Sequence, residues 1–362
     1  MPPHDGTLGL VPRDVKRRAG TDRNSDPCGR LGSIRPLEVA LADGHAHAET
    51  VSTVGVPVVI DTDMGADDAV AVALALCAEP LDVVGLVSVG GNVGIGQATA
   101  NVARLLRAIN PPIWPRVGRG EDQTEEGLID ARWLFGNDGM GDADLPPAEK
   151  FEVVPALKLY RKLIDTYGQD LIIIAIGPLT NLANLIRHEK KRFARVGRLV
   201  IMGGAIWCPG NVEQVAEFNF YRDPEAASVV LGAGVPVALV PLDVSRQVVL
   251  DDSHRARLAA SGTRAGVFLD RVLAFPLAQN VELGSGRLFM HDSLAVGSLL
   301  WPELFMKTKI AVEVDTQGDI PGKTRPAVGK SPADRADVLV SVRAADFLEN
   351  MIELLCQEKF FV

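Results

Sequence analysis

The stretch VVIDTDMGADDAVAVALAL, Val58 to Leu76, decides how the rest of the chain is read. An apolar, β-branched run stops at Asp61. Four carboxylates, Asp61, Asp63, Asp67 and Asp68, fall within eight residues, and the apolar pattern resumes at Ala69. A buried strand passing at once into a buried helix has this form. Gly65 permits the tight turn, and the helix start favours negative charge because its first N–H groups lack partners and the macrodipole is positive there. Capping accounts for Asp67 and Asp68, and a turn for Asp61. It accounts poorly for four acids together, since packed, unpaired carboxylates push each other's pKa upward. A bound cation removes the conflict. An all-oxygen donor set without His or Cys suits a hard ion, Ca2+ or Mg2+.

Outward from this stretch the chain alternates. VPVVID, LDVVGLVSV, DLIIIAIG, RLVIMGG and VPVALVPLD read as buried strands. DDAVAVALALCA, GQATANVARLLRAI, VVPALKLYRKLIDTY, LTNLANLIRHEKKRF and DPEAASVVLGAG read as helices between them. Strands this continuously apolar, alternating with helices, predict an α/β fold: a mostly parallel central sheet flanked by helices. After Val249 the pattern turns helical through about Leu300. KIAVEV, TRPAVG and DVLVSVR then predict added strands, and a last helix runs from Ala344 to Cys356.

Residues 1–55 differ in kind. They are rich in Gly, Pro, Arg, Asp and Ser, hold no period, and balance seven basic against seven acidic residues. They are expected to be a disordered extension, with 56–362 as a single catalytic domain that carries the net charge of −9. That charge, with a pI near 5.3, favours neither nucleic acid nor an anionic membrane as partner. No apolar run is long enough to span a bilayer, and no signal-peptide layout opens the chain. The four cysteines, Cys28, Cys77, Cys208 and Cys356, form no CxxC pair, which points to a reducing, cytoplasmic setting.

In parallel sheets ligands bind beyond the carboxyl ends of the strands. The second strand ends in SVGGN, with Asn92 at that edge. The strand DLIIIAIG ends near Ile176, whose carbonyl can face the site, and Thr180 and Asn181 beyond it are expected to cap a helix. In the loop after MGG, Asn211, Glu217 and Asn219 set amide, acid and amide in apolar surroundings; a lone Glu there would be a solvated rim residue, but the three together match what binds a polyol by hydrogen bonds. Asp223, before Pro224, reads as a helix start. His188 and His254 sit in charged, solvated contexts. His291 alone lies between apolar segments, beside Asp292, itself a candidate N-cap. The polar, Gly-rich segment from Glu121 to Lys150 is a candidate active-site loop.

Taken in order, D-x-D-x-G-x-D-D after a strand, GPLTN, MGG, N…AEFN…DPEAA and HD resemble the nucleoside hydrolases, the inosine–uridine-preferring nucleoside N-ribohydrolase family. The resemblance covers about Pro57 to Cys356. It implies Ca2+-dependent hydrolysis of the N-glycosidic bond of ribonucleosides to free base and ribose, and a homo-oligomer, dimer or tetramer. It implies Asp63, Asp68, the main-chain carbonyl of Ile176 and Asp292 as metal ligands, with Asp61 supporting them from behind. Asp67, Asn92, Asn211, Glu217 and Asn219 would hold the ribose and the water's surroundings. Asp63 would be the general base and His291 the acid or leaving-group contact. The family commonly has Thr where this chain has Ile176, a change that a main-chain ligand survives. Many members carry a His before the Gly of the base-contacting loop, where this chain reads WLFGNDG with Phe135. Trp133 and Phe135 are candidates to stack on a base instead, or ordinary loop packing.

Two competing functions remain open at the level of residues. One is a haloacid-dehalogenase-type Mg2+ phosphohydrolase, which shares D-x-D after a first strand but needs a distant Lys and a later acidic pair. The other is a non-catalytic nucleoside or sugar binder that keeps the fold.

Overall fold

The computed structural model describes residues 55–121, 130–146, 152–279, 284–327 and 335–357. The described residues all lie within the unit Val51–Val362. The expected extension, apart from Gly55, lies outside the described residues. So do 122–129 and 147–150 of the expected loop.

The strands in chain order are β1 (Val56–Thr62), β2 (Leu81–Ser88), β3 (Arg116–Arg119), β4 (Val153–Pro155), β5 (Ile172–Ala175), β6 (Arg198–Met202), β7 (Val237–Val240), β8 (Val249–Asp251), β9 (Arg287–Phe289), β10 (Phe305–Ile310), β11 (Val312–Val314), β12 (Thr324–Pro326) and β13 (Ala336–Val342). Nine of them form one sheet in the order β10-β13-β7-β6-β5-β1-β2-β3-β4. Every pairing in it is parallel except β10 with β13. The strand–helix alternation is thus borne out as a mostly parallel sheet between helices, and β1 lies inside it between β5 and β2.

The alternation of β1 distributes its side chains to two cores. Val58 and Ile60 enter the larger one and Val59 the other. Each such fully buried side chain contributes about 1.5–3 kcal/mol. Helix Ala66–Cys77 follows β1 and is buried from Ala66 through Ala75. It has no polar stripe because three helices, Arg264–Gln279, Ser293–Leu300 and Ala344–Cys356, close over it. The opposite face is covered by helices Ala156–Tyr167, Thr180–Phe193 and Pro224–Leu231. Among the described residues no helix is long and apolar enough to cross a membrane.

Several expected elements are redrawn. VVP at the head of an expected helix is strand β4, paired with β3, and the helix begins at Ala156. Strand β3 itself, RVGR, is too short and too polar to show a period. KIAVEV divides at Ala311 between β10 in the large sheet and β11, which pairs with β12. The region after Val249 is helical but contains the short antiparallel pair β8–β9.

Candidate active site

Three neighbouring strand ends bring the site together. Beyond β1, the backbone at Met64 is left-handed, φ +48, an uncommon conformation for a bulky residue, and its side chain is fully buried. The Met64 N–H donates to Thr62 Oγ1 at 3.0 Å, and the Thr62 hydroxyl donates to Asp68 Oδ1. Asp68 Oδ2 accepts the Gly65 N–H at 2.8 Å, so Asp68 does cap its helix. It also accepts Asn92 Nδ2 at 2.9 Å from the loop after β2. The Asn92 N–H donates to Asp63 Oδ2 at 2.6 Å. Gly91 makes that approach possible: a Cβ there would lie 2.1 Å from Asp63 Oδ2.

Capping does not extend to the other acids. Oδ1 of Asp63 and Oδ1 of Asp67 are buried with no hydrogen-bond partner among the described residues. Asp292 occupies the N-cap position of helix Ser293–Leu300, yet its side chain makes no capping bond. Instead it meets helix Ala66–Cys77: carboxylate oxygens of Asp67, Asp68 and Asp292 lie within 4.8 Å of one another. Asp63, an expected ligand, is not one of this trio, and Asp67, expected to face the sugar, is. All four residues are at most 6% exposed. Desolvation raises each carboxyl's pKa, and the Asp68 charge raises those of Asp63 and Asp67 further. Such a set is costly without a cation. Orphaned buried oxygens and an all-oxygen donor chemistry fit a hard divalent ion.

The far wall comes from the loop between β6 and helix Phe218–Arg222. Glu217 accepts N–H bonds from Asn219 at 2.9 Å, Gly204 at 3.0 Å and Phe220 at 3.2 Å, while burial pushes its pKa up to about 7. Asn219 Nδ2 donates to the Ile176 carbonyl at 3.1 Å, and exposed Asn211 accepts the Phe218 N–H at 2.9 Å. Two residues that sequence reasoning missed pin this loop. Asp243 accepts the N–H groups of Ile206 at 2.9 Å and Trp207 at 2.7 Å. Thr324 of β12 bonds both the N–H and the carbonyl of Ala205, at 2.8 and 2.7 Å. Nothing in their local sequence marks either residue.

These walls enclose a cavity of about 550 Å3. Asp67, Asn92, Ile176, Glu217, Asn219 and Asp292 line it, with Asn211. Another part of its wall is apolar, from Trp133, Leu134, Phe135, Val212 and Phe218. Phe135 is 6% exposed and also belongs to the large core, whereas Trp133 is 64% exposed. His291 completes the lining. Its Nδ1 lies 2.8 Å from Ser245 Oγ and its ring beside Phe289. Burial, helped by the Arg246 cation, pushes its pKa down to about 3. His188 is exposed on the Asn184 carbonyl, and His254 joins the cap at Asp251; neither lines the cavity.

Asp61 turns the other way, to the second core. Its Oδ2 accepts the Tyr160 hydroxyl and Asn181 Nδ2, the latter at 3.0 Å, and burial pushes its pKa up to about 7. The expectation that Thr180 and Asn181 cap their helix is corrected: Leu179 holds the N-cap position. The Thr180 hydroxyl donates to Asp223 Oδ2 at 2.6 Å, and Asp223 itself caps the helix Pro224–Leu231 as expected.

The chain is similar to known proteins in sequence and fold. The family model described as inosine-uridine preferring nucleoside hydrolase matches residues 58–349. Uridine nucleosidase 1 of Arabidopsis thaliana is 33% identical over 270 residues, 74% of this chain and 80% of that protein. The pyrimidine-specific ribonucleoside hydrolase RihA of Escherichia coli O9:H4 (strain HS) is 34% identical over 265 residues, 72% of this chain and 85% of its own. Among solved structures, a purine-preferring ribonucleoside hydrolase from Gardnerella vaginalis superposes with a TM-score of 0.78 at 27% identity, covering 83% of this chain and 98% of that one.

Proposed function

The chain belongs to the inosine-uridine preferring nucleoside hydrolase family, and from that premise we propose that it hydrolyses ribonucleosides to free base and ribose with Ca2+ in its carboxylate cage. The observation that carries this is the juxtaposition at one cavity of the buried acids Asp67 and Asp292, Asp67 with an unpartnered oxygen, and the amide–acid–amide set Asn211, Glu217 and Asn219. Among the described residues no lysine or arginine lines that cavity, so a phosphohydrolase would find no side-chain cation there for its substrate.

Asp68, Asp292, Asp63 and the Ile176 carbonyl would hold the ion, with Asp67 beside them toward the ribose. When bound, Ca2+ supplies a fixed positive charge that orients ribose hydroxyls and a water and makes that water easier to deprotonate. The protein's own residues do the rest. Asn92, Asn211, Glu217 and Asn219 hold the sugar. Asp63 Oδ1, unpartnered and buried, takes a proton from the attacking water as its oxygen bonds to the anomeric carbon. The base departs with the glycosidic electron pair and takes up a proton from solvent, while His291, held neutral by burial, contacts the leaving group. Positive charge on the ribose in the transition state is met by the acidic floor.

The names of the two sequence relatives make uridine the first substrate to try. The test is base release over a panel of purine and pyrimidine ribonucleosides, with and without a chelator. Uridine turnover that stops with chelator and returns with Ca2+ is expected. Tight ribose-analogue binding without turnover on any nucleoside would replace this reading by that of a non-catalytic binder. The family resemblance supports a dimer or tetramer, tested by sedimentation. The dispersed cysteines support a cytoplasmic setting, tested by localising the tagged protein.

A further inference from the structure

Beneath the cavity floor lies a buried polar cluster that neither the ion nor the substrate would touch. Asp61 follows Val59 on the face of β1 that enters the second core, where an apolar side chain would be the inexpensive choice. Its Oδ2 instead accepts the Tyr160 hydroxyl, from helix Ala156–Tyr167, and Asn181 Nδ2. The same Asn181 Nδ2 donates to the carbonyl of Ser88, the last residue of β2, at 3.1 Å. That carbonyl also accepts the Gly120 N–H at 2.9 Å, and a Cβ at Gly120 would meet Asn181 Oδ1 at 2.3 Å. The main-chain carbonyl of Asp61 accepts the Ile176 N–H at 2.8 Å.

These bonds join the roots of three loops. The loop after β1 carries Asp63 and leads into the helix turn with Asp67 and Asp68, the loop after β2 carries Asn92, and the segment after β5 carries the Ile176 carbonyl. We propose that Tyr160, Asp61 and Asn181 form a positioning cluster that sets the spacing of these loops and thereby the affinity of the cage for its cation. This rests on the metal-dependent reading above. A hydroxyl, a carboxylate and an amide suit the task better than apolar packing, because directional bonds fix relative strand position where apolar contacts allow sliding.

The test is calorimetric titration of metal-stripped protein with Ca2+, for wild type, Tyr160→Phe, Asn181→Leu, Asp61→Asn and the Tyr160→Phe/Asp61→Asn double variant, each with its metal-free melting curve. The expected result is a loss of affinity of about tenfold or more in each single variant that folds, as seen when partners behind metal ligands are removed. The double variant should lose less than the sum of the two single losses in binding free energy. A merely structural role lowers the melting temperature while the folded protein keeps its Ca2+ affinity within about twofold, and that result overturns the proposal. So does failure of all the single variants to fold. If wild type itself binds no Ca2+, the metal-dependent reading fails first and the positioning role falls with it.

Discussion

The backbone N–H of Asn92 donates to Asp63 Oδ2 at 2.6 Å, leaving Asp63 Oδ1 with no partner among the described residues. One bond thus fixes the orientation of the carboxylate and frees its other oxygen for chemistry. A base held this way does not have to be oriented at the moment of reaction.

That contact exists because residue 91 has no side chain. In Gly91→Ala the new methyl would lie 2.1 Å from Asp63 Oδ2 and 2.8 Å from its Cγ, so the carboxylate must move. A shift of about 1 Å at a reacting group costs on the order of a hundredfold in rate. Steady-state kinetics on uridine should show that fall in kcat with the circular dichroism spectrum unchanged. Asp63→Ala should lower kcat by about 10²–10⁴-fold, the usual worth of a positioned general base.

Asp292→Asn separates the cost of the cage from its use. Without an ion, burial raises the Asp292 pKa and the nearby Asp67 and Asp68 charges raise it further. Removing that charge should raise the melting temperature of the chelator-treated protein. Wild type should gain about 2.7 kcal/mol from Ca2+ at a hundred times its Kd. The variant should gain little. Differential scanning calorimetry with and without Ca2+ measures both.

Trp133 lines the cavity while 64% exposed, so its ring contributes little to the core. Trp133→Ala should change stability by less than about 0.5 kcal/mol. If the ring stacks on the base, KM for uridine should rise about fivefold to tenfold, the equivalent of a 1–1.5 kcal/mol aromatic contact. An unchanged KM would assign the ring to the cavity rim alone.

Far from the cavity, Asp251 caps helix Asp252–Ser261. The Ser253 hydroxyl and the N–H and ring of His254 hold its carboxyl down to about 2. A carboxyl depressed in the folded state stabilises above its unfolded value, near 4, and that contribution disappears as pH falls toward 2. Asp251→Ala should therefore melt below wild type at pH 7, and the gap should narrow between pH 4 and pH 2. Its uridine hydrolysis at pH 7 should match wild type.

How much of the site was legible followed sequence distance. DTDMGADD displayed its acids because a strand end and the next helix start are adjacent both in the chain and in space. His291 and Asp292 were legible as a polar pair amid apolar residues. Asn181 stands where the sequence predicts a cap, and its real partner, Asp61, is 120 residues away. In the sequence Tyr160 is one more residue on the apolar face of an amphipathic helix, and nothing beside Asp243 or Thr324 marks a distant partner. Strand β4 is not distinguishable from its helix in the sequence because three residues carry no period.

The sequence by itself determined the parallel α/β architecture and the concentration of acid at the first strand–helix junction. Both arise from local periodicity and from the burial it demands. Only the tertiary structure decided which acids share one space. It brought Asp292 to Asp67 and Asp68, left Asp63 beside that trio, and turned Asp61 to the opposite face. The physical reason is the strand's two-residue period combined with strand order. Alternation sends Asp61 away from the cavity, and only the placement of β1 between β2 and β5 supplies Asn92, Ile176 and Asn181 around it.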